Sequence, residues 1–544
     1  MSEFRNSFAE TIFKQKYAQG PEDTWAALSK RLVDDVCGTR QGTIPALLPQ
    51  DELDELEGYI RDMAFIPGGR YLYYAGREFK AYNNCFLLRA EEDTREEWSN
   101  VTWRAMSCLM TGGGIGIDYS RLRPHGSKLA RTGGIASGPL PLMYAINEIG
   151  RNVMQGGSRR SAIYASLNWQ HTDVHRFLES KNWSDDQRAA KLKDFNAPAP
   201  LDMTNISVNY DDASLIGGLE NNEVFKKNVR QALQTAEPGF SFNFGDKQNE
   251  TLRNACTEVT SEDDSDVCNL GSINLSVIKD VNRFQRIVVL ASKFLVCGTL
   301  RADLPYAKVQ QVREKNRRLG LGLMGIHEWL LQRGYGYSVT PELHEWLKVY
   351  RDESKRSADE FCGTLGISRP VAYRAIAPTG SIGILACTST GIEPLFAVAY
   401  KRRFLTGGNR WKYQFVIDGT AARLIEQYGV DPDTIESAID LSKDYEKRIA
   451  FQADIQDYVD MSISSTINLP EWGSKWNNEQ SVDAFTRTLA LYSPRLRGFT
   501  CYPDGSRGGQ PLTSVPYAEA LKHKDVIFEE TDICDISGGG TCGS

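Results

Sequence analysis

Arg253-Asn254-Ala255-Cys256-Thr257-Glu258-Val259 is followed shortly by Cys268-Asn269-Leu270-Gly271-Ser272-Ile273-Asn274-Leu275. If the first segment is extended, Asn254, Cys256 and Glu258 share one face, because side chains in a strand repeat every second residue. That face carries an amide, a thiol and a carboxylate. A thiol does chemistry only when a base, a hydrogen-bond donor or a redox partner stands beside it, and here all three are within reach.

The remaining composition bounds the answer. At 544 residues the chain exceeds ordinary single-domain size and predicts several domains or one large α/β barrel with insertions. Hydrophobic content of 41% and charged content of 24% are those of a soluble globular protein. The most apolar helical run, Ile287 to Leu300, is broken by Lys293, so no membrane span is expected. No basic, apolar leader opens the sequence, which predicts a cytoplasmic protein. A net charge of −7 argues against nucleic-acid binding while leaving room for local basic pockets. Eleven cysteines at irregular spacing read as cytosolic thiols rather than a disulfide framework; Cys108, Cys297, Cys362 and Cys387 lie in apolar runs and are expected to be packed.

In chain order, residues 1–50 read as a helical N-terminal segment, with Phe8, Ile12, Phe13, Tyr17 and then Trp25, Leu28, Leu32 at helical spacing. Phe65 to Arg70 is a Pro/Gly loop leading to a short strand at Cys85, and the glycines of Thr111 to Asp118 permit close approach of a ligand. Two glycine-rich pieces, Arg131-Thr132-Gly133-Gly134 and Gln155-Gly156-Gly157-Ser158-Arg159, combine backbone donors with an arginine suited to phosphate. His171 and His175 stand four apart but lack a third ligand, so no metal site is expected. Pro238 to Phe244 alternates aromatic and small residues, as a half-buried strand does. Gly320-x-Gly322-x-x-Gly325 fits the dinucleotide pattern, yet a basic run precedes it where a strand is required; it is read as a helix packed through its glycines. Ala377-Pro378-Thr379-Gly380-Ser381-Ile382-Gly383 predicts a helix start presenting N–H groups and hydroxyls to a phosphate. The tail beyond Gly508 is a linker ending in Cys534 and Cys542, two thiols too few for zinc but suited to a mobile dithiol.

Asn254-x-Cys256-x-Glu258, the Cys268 block and Asn83-Asn84-Cys85 together resemble the catalytic subunit of ribonucleotide reductase, with further matches from about Phe8 to the last residues. The resemblance implies a ten-stranded α/β barrel over 51–507, between the helical segment 1–50 and a flexible redox tail over 508–544. It implies radical reduction of a ribonucleotide: Cys256 as hydrogen abstractor, Glu258 as general base, Asn254 holding the ribose, and Cys85 with Cys268 as the reducing pair. Asn84, Gly114, Gly116, Pro378, Thr379, Gly380, Ser381 and Ile382 would bind substrate. Arg131, Gly133, Gly134, Gly156, Gly157 and Arg159 would hold a deoxynucleotide effector, and Cys534 and Cys542 would pass electrons from a thioredoxin- or glutaredoxin-type protein. The Tyr502-Pro503-Asp504-Gly505-Ser506-Arg507 run, with Cys501 where a second tyrosine is expected, looks like the adenosylcobalamin branch. The alternative is a radical delivered through Tyr502 from a metal-containing small subunit. A homodimer is compatible with either. The rival readings, a non-catalytic nucleotide sensor or a plain dithiol oxidoreductase, leave Glu258 or the missing Cys-x-x-Cys unexplained.

Overall fold

The computed structural model describes residues 3–39, 44–130, 133–153, 161–194, 197–406, 410–506, 512–524 and 526–529. The chain opens with helices α1 (Ser7–Lys16), α2 (Trp25–Val36) and α3 (Gln50–Arg61). Asn6 and Thr24 cap the first two by accepting from the first-turn amides of Ala9 and Ala27. Phe13, Tyr17, Trp25, Leu28 and Leu32 are all buried, as their spacing predicts. The run Phe65 to Arg70, read as a loop, instead forms β1 (Phe65–Pro67) and the short helix α4 (Gly69–Tyr74).

Five strands then follow in parallel, β2 (Cys85–Arg89), β3 (Gly114–Asp118), β4 (Ile163–Asn168), β5 (Thr204–Tyr210) and β6 (Gly239–Phe242). Helices α5 (Arg95–Met110) and α6 (Leu140–Asn152) are the first two crossovers, as parallel pairing requires. The two-stranded hairpin β7 (Leu252–Arg253) and β8 (Thr260–Ser261) interrupts this series before β9 (Asp266–Asn274) returns antiparallel beside β2. β10 (Leu319–Met324) pairs parallel with β9. The hairpin β11 (Ala399–Thr406) and β12 (Arg410–Ile417) lies in a separate small sheet. β13 (Thr466–Leu469) is parallel to β14 (Gly498–Pro503), which runs antiparallel to β6.

β1 and nine further strands make one ten-stranded sheet. Between β10 and β13 the wall is carried by isolated parallel bridges, Leu321 to Arg374 and Ile376 to Ile463, in place of a continuous ladder. The expected α/β barrel is therefore present. Alternation along its strands sorts side chains: Phe86 and Leu88 pack outward against helices, whereas Cys85 and Leu87 face an interior cluster with Leu252, Val259, Cys268, Leu270 and Met461. Leu252 and Val259 belong to the hairpin, so the β7–β8 finger itself fills the barrel.

Three expectations change. Gly320 to Gly325 is the barrel strand β10 followed by the helix Ile326–Gln332, not a glycine-packed helix; its glycines lie where a Cβ would meet Cys268 Sγ at 3.1 Å or the Ala375 carbonyl at 2.7 Å. β6 is buried on both faces rather than half-buried, because the far face looks into the filled interior. The stretch read as a linker carries β15 (Leu512–Ser514) and β16 (Ile527–Glu529), which pair on opposite sides of the β11–β12 hairpin. Cys534 and Cys542 lie outside the described residues. Lys293, the break in the apolar run, reaches Glu52 at 2.7 Å. Among the described residues no helix is long and apolar enough to cross a membrane.

Gly116 makes the plug fit: a Cβ there would lie 1.7 Å from the Arg253 carbonyl oxygen. Backbone cannot yield as a flexible side chain can. Gly116→Ala is expected to destabilise the protein by about 3 kcal/mol in chemical denaturation, and an unchanged midpoint would show that the finger is not held against β3.

Candidate active site

The finger is anchored at its root and turned at its tip. Arg253 is fully buried; its Nη2 donates to Asn243 Oδ1 at 2.6 Å and to the Arg497 carbonyl at 3.3 Å. Burial, then the neighbouring Arg497 charge, lowers this guanidinium to about 9. Glu250 accepts from Thr260 Oγ1 at 2.6 Å and from Arg497 Nη2 at 3.0 Å. Burial would raise its carboxyl, but Arg497, Arg318 and Lys247 hold it at about 2. Arg318 pairs with Asp266 at 2.6 Å. Buried charges persist only when paired in this way.

Between the two short strands the chain is not extended. Residues 254–257 form a turn in which the Thr257 amide donates to the Asn254 carbonyl at 3.0 Å and Thr257 takes φ 69°. The shared strand face expected for Asn254, Cys256 and Glu258 is thus replaced by a turn that still gathers them. Asn254 Nδ2 donates to Glu258 Oε2 at 2.9 Å and to Cys85 Sγ at 3.0 Å, while Asn254 Oδ1 accepts from the Val259 amide at 2.9 Å. Cys85 Sγ stands 3.9 Å from Glu258 Oε1. Cys256 is exposed at the tip.

Cys85 is the register partner of Cys268 in the antiparallel β2–β9 pair. Directly opposed residues have Cα atoms about 4.5–5.5 Å apart, inside the span a disulfide bridges. Both are thiols here. Burial, then the Glu258 charge, pushes the Cys85 thiol well up; burial, then Asp266, does the same to Cys268. Burial also pushes the Glu258 carboxyl up to about 7, with the Asn254 hydrogen bond opposing it.

These groups border a cavity of about 150 Å³ whose wall includes Asn84, Cys85, Gly114, Asn254, Cys256, Glu258 and the whole run Pro378 to Ile382. Thr379 takes φ 48° and precedes the helix Gly380–Ala386, and its Oγ1 accepts from the Gly391 amide at 2.9 Å. The helix start expected at this loop is found. Among the described residues Asn84 Oδ1 is buried with no hydrogen-bond partner, and such an acceptor suits a ligand donor. Gly116 does not border the cavity; its place under the Arg253 carbonyl corrects its reading as a substrate residue. Sequence reasoning missed Tyr17, Gly68 and Arg70, which also line the wall. The signal was the Gly68-Gly69 pair, read only as punctuation: a Cβ on Gly68 would meet the Leu270 carbonyl at 2.9 Å and Asn84 Oδ1 at 3.2 Å.

Of the glycine-rich loops, Gly133 and Gly134 sit in a tight turn, with the Gly133 amide on the Leu129 carbonyl at 3.0 Å and the Leu129 amide on the Gly134 carbonyl at 2.9 Å; they do not border the cavity. Arg131, Gly156, Gly157 and Arg159 lie outside the described residues. His171 accepts from the Asp173 amide at 3.0 Å and holds the Leu122 carbonyl at 2.8 Å, a structural role. No metal-holding cluster occurs among the described residues.

A second, larger cavity of about 1180 Å³ adjoins the first at Pro378, which borders both. Its wall includes Arg5 to Phe8, Thr388 to Thr390, Asp418, Ser464 to Thr466, Asn468 and Tyr502. Tyr502 and Cys501 point opposite ways along β14: Cys501 is buried in the outer core, 3.6 Å from the Ala232 carbonyl.

The family described as ribonucleotide reductase, barrel domain, matches residues 83–199, 209–344 and 368–493. The chain belongs to this family. It is 26% identical over 537 residues to the vitamin B12-dependent ribonucleoside-diphosphate reductase of Mycobacterium tuberculosis, covering 86% of this chain and 74% of that one. Over 548 residues it is 26% identical to the enzyme of the same description from Thermoplasma acidophilum, covering 89% and 69%. A putative adenosylcobalamin-dependent ribonucleoside-triphosphate reductase of Mycobacterium phage D29 is 28% identical over 511 residues, covering 78% and 69%. The fold matches a crystal structure of a B12-dependent (class II) ribonucleotide reductase with TM-score 0.72 at 17% identity, covering 96% of this chain and 95% of that one.

Glu258 links the small cavity to stability. Its carboxyl ionises near 4.5 when unperturbed and near 7 in the folded protein. The stabilisation from keeping its proton is complete below the lower value and is lost as pH rises through the upper one. Relative to Glu258→Gln, the ligand-free protein should therefore lose on the order of 3 kcal/mol between about pH 4.5 and pH 8. Parallel stability profiles for the two proteins would refute the raised carboxyl.

Proposed function

We propose that this chain reduces ribonucleoside diphosphates to deoxyribonucleotides in the cytoplasm, by a thiyl radical on Cys256, with adenosylcobalamin as its radical source. The observation that carries the reading is the convergence of Cys256, Glu258, Asn254 and Cys85 on one small cavity, with Cys268 directly opposite Cys85 in the neighbouring strand. Asn84 Oδ1, buried without a partner, accepts a substrate hydroxyl, and the run Pro378 to Ile382 offers its amides and hydroxyls to the phosphates.

Direct displacement of a 2′-hydroxyl at an unactivated carbon is not feasible, whereas a radical at C3′ lets that hydroxyl leave as water. The Cys256 sulfur takes the 3′ hydrogen atom. Glu258 accepts the 3′-hydroxyl proton, and a carboxyl pushed up to about 7 is near half-ionised at neutral pH, where a general base works best. Cys85 and Cys268, kept protonated by burial, deliver two electrons and two protons to the sugar and close into a disulfide. Cys256 then returns its hydrogen atom to C3′, and Glu258 returns its proton to the 3′-oxygen. Asn254 holds Glu258 and Cys85 in one arrangement throughout. The filled barrel excludes the water that would quench a radical.

The larger cavity suits the cofactor. Its volume of about 1180 Å³ exceeds what a small substrate needs, it adjoins the substrate cavity at Pro378, and Ser464 to Thr466, Thr388 to Thr390 and Tyr502 would hold the corrin's amide groups. Adenosylcobalamin, when bound, supplies the one-electron chemistry that removes the Cys256 hydrogen atom. A metal-containing small subunit is then not needed.

Cys534 and Cys542 are assigned to carry electrons from a thioredoxin- or glutaredoxin-type reductant, and the loops with Arg131, Gly133, Gly134, Gly156, Gly157 and Arg159 to hold a deoxynucleotide effector. A homodimer is assigned to the outer face of α5 and α6, where Trp103, Met110 and Tyr144 are 56%, 63% and 39% exposed.

With adenosylcobalamin, a dithiol and an effector, the purified chain should reduce labelled ribonucleoside diphosphate without a second polypeptide. Cys256→Ser should abolish turnover while nucleotide affinity stays within about threefold, because the pocket is not emptied; near-normal turnover in that variant would sink the assignment. Replacing Cys534 and Cys542 by Ser should stop turnover driven by thioredoxin but spare turnover driven by a small dithiol that reaches the inner pair directly. Equal loss with both reductants would remove the tail from the electron path.

A further inference from the structure

Alternation along β9 turns Cys268, Leu270 and Ser272 into the barrel. Ser272 borders the small cavity and is 2% exposed. Among the described residues its hydroxyl makes no hydrogen bond. A buried polar group left unpaired costs about 1–3 kcal/mol, and one that borders a cavity is accounted for by a ligand that completes it.

Strand β10 fixes where that hydroxyl stands. Gly322 is the register partner of Ser272, and a Cβ on Gly322 would meet Ser272 Oγ at 3.3 Å, the Ile376 Cα at 3.4 Å and the Ala375 carbonyl oxygen at 2.7 Å. Ser272 Oγ and the residue that leads into Ala377-Pro378-Thr379 therefore adjoin one glycine, with no side chain between them. The reacting groups are farther off. Ser272 is four residues along β9 from Cys268, the register partner of Cys85, a rise of about 13 Å at roughly 3.3 Å per residue.

We propose that the Ser272 hydroxyl donates to a phosphate oxygen of the ribonucleoside diphosphate, adding a donor from β9 to those of the Pro378 to Ile382 loop. This rests on the reading of the cavity given above. A hydroxyl at the root of that loop and away from the sugar's reacting carbons is placed for the phosphate end of the substrate, and a charged acceptor makes the stronger hydrogen bond.

The competing account is a serine that merely fills space beside Gly322. Stability and affinity separate the two. Ser272→Ala removes a hydroxyl that the ligand-free protein leaves unpaired, so its Tm should hold or rise. Binding of a ribonucleoside diphosphate to the full chain should weaken roughly 10- to 100-fold, the range for losing a hydrogen bond to a charged group. Binding of the matching ribonucleoside, which has no phosphate, should move less than about threefold. Ser272→Cys, close in volume but a poor donor, should bind the diphosphate as weakly as Ser272→Ala does. In turnover the loss should appear in KM with kcat little changed. Unaltered diphosphate affinity in Ser272→Ala overturns the proposal, and so does a loss shared equally by the ribonucleoside, which would put the hydroxyl on the sugar or base. A lowered Tm overturns it too, since the hydroxyl would then be paired within the fold. If the unaltered protein binds the diphosphate no more tightly than the ribonucleoside, the phosphate reading of the cavity falls before any variant is made.

Discussion

A barrel of ten strands is wider than its own inward side chains can fill, since about eight strands already give an interior that side chains just occupy. The finger between β7 and β8 resolves that constraint. It brings Leu252 and Val259 into the interior cluster and sets Cys256 at its tip, beside the strand that carries Cys85. Packing and chemistry thus share one hairpin. The close approach of the Arg253 carbonyl to Gly116 fixes its depth, and the charge network of Glu250, Arg253, Arg497, Arg318 and Asp266 fixes its root.

The charges divide along the same line. At the root both carboxylates are paired, Glu250 with Arg497 and Asp266 with Arg318, and Glu250 is held at about 2. At the tip, the carboxyl and both thiols are driven by burial toward their neutral forms. The buried thiols there stay protonated, while Glu258, near its midpoint at neutral pH, can give or take a proton.

The candidate residues were legible in sequence through the resemblance that their types and order carry. Cys256, Glu258, Asn254, Cys85 and the Pro378 to Ile382 loop could be named before any geometry, and the structure gathers all of them around one cavity. Geometry was less legible. Alternating spacing suggested a strand at Asn254 to Glu258, but a positive φ at Thr257, which a non-glycine residue rarely takes, makes it a turn. β10 was misread as a helix because its glycines were taken for close helix packing, whereas they allow close strand packing against Cys268 and Ala375. Gly116 looked like a ligand contact for the same reason: glycine marks close approach without saying what approaches. Strands β15 and β16 escaped notice because their partners in the β11–β12 hairpin are about a hundred residues away, and short edge strands carry little periodic signal.

Tyr502 and Cys501 show how topology reassigns a sequence clue. The cysteine standing in place of a second tyrosine was the sign that pointed to the cobalamin branch. Adjacent residues of a strand face opposite ways, and Cys501 faces the outer core while Tyr502 faces the large cavity. A side chain at 501 therefore meets the packing against Ala232 and not the cofactor's space, so its identity bears on core packing. What bears on the radical source is the cavity itself: about 1180 Å³ of space sharing Pro378 with the substrate pocket. A cofactor held there, as proposed, would share the wall residue Pro378 with the pocket that Cys256 lines. A cofactor bound at that distance makes a long path through the protein unnecessary, and this adjacency, rather than the missing tyrosine, is the physical reason to place the radical source within the chain.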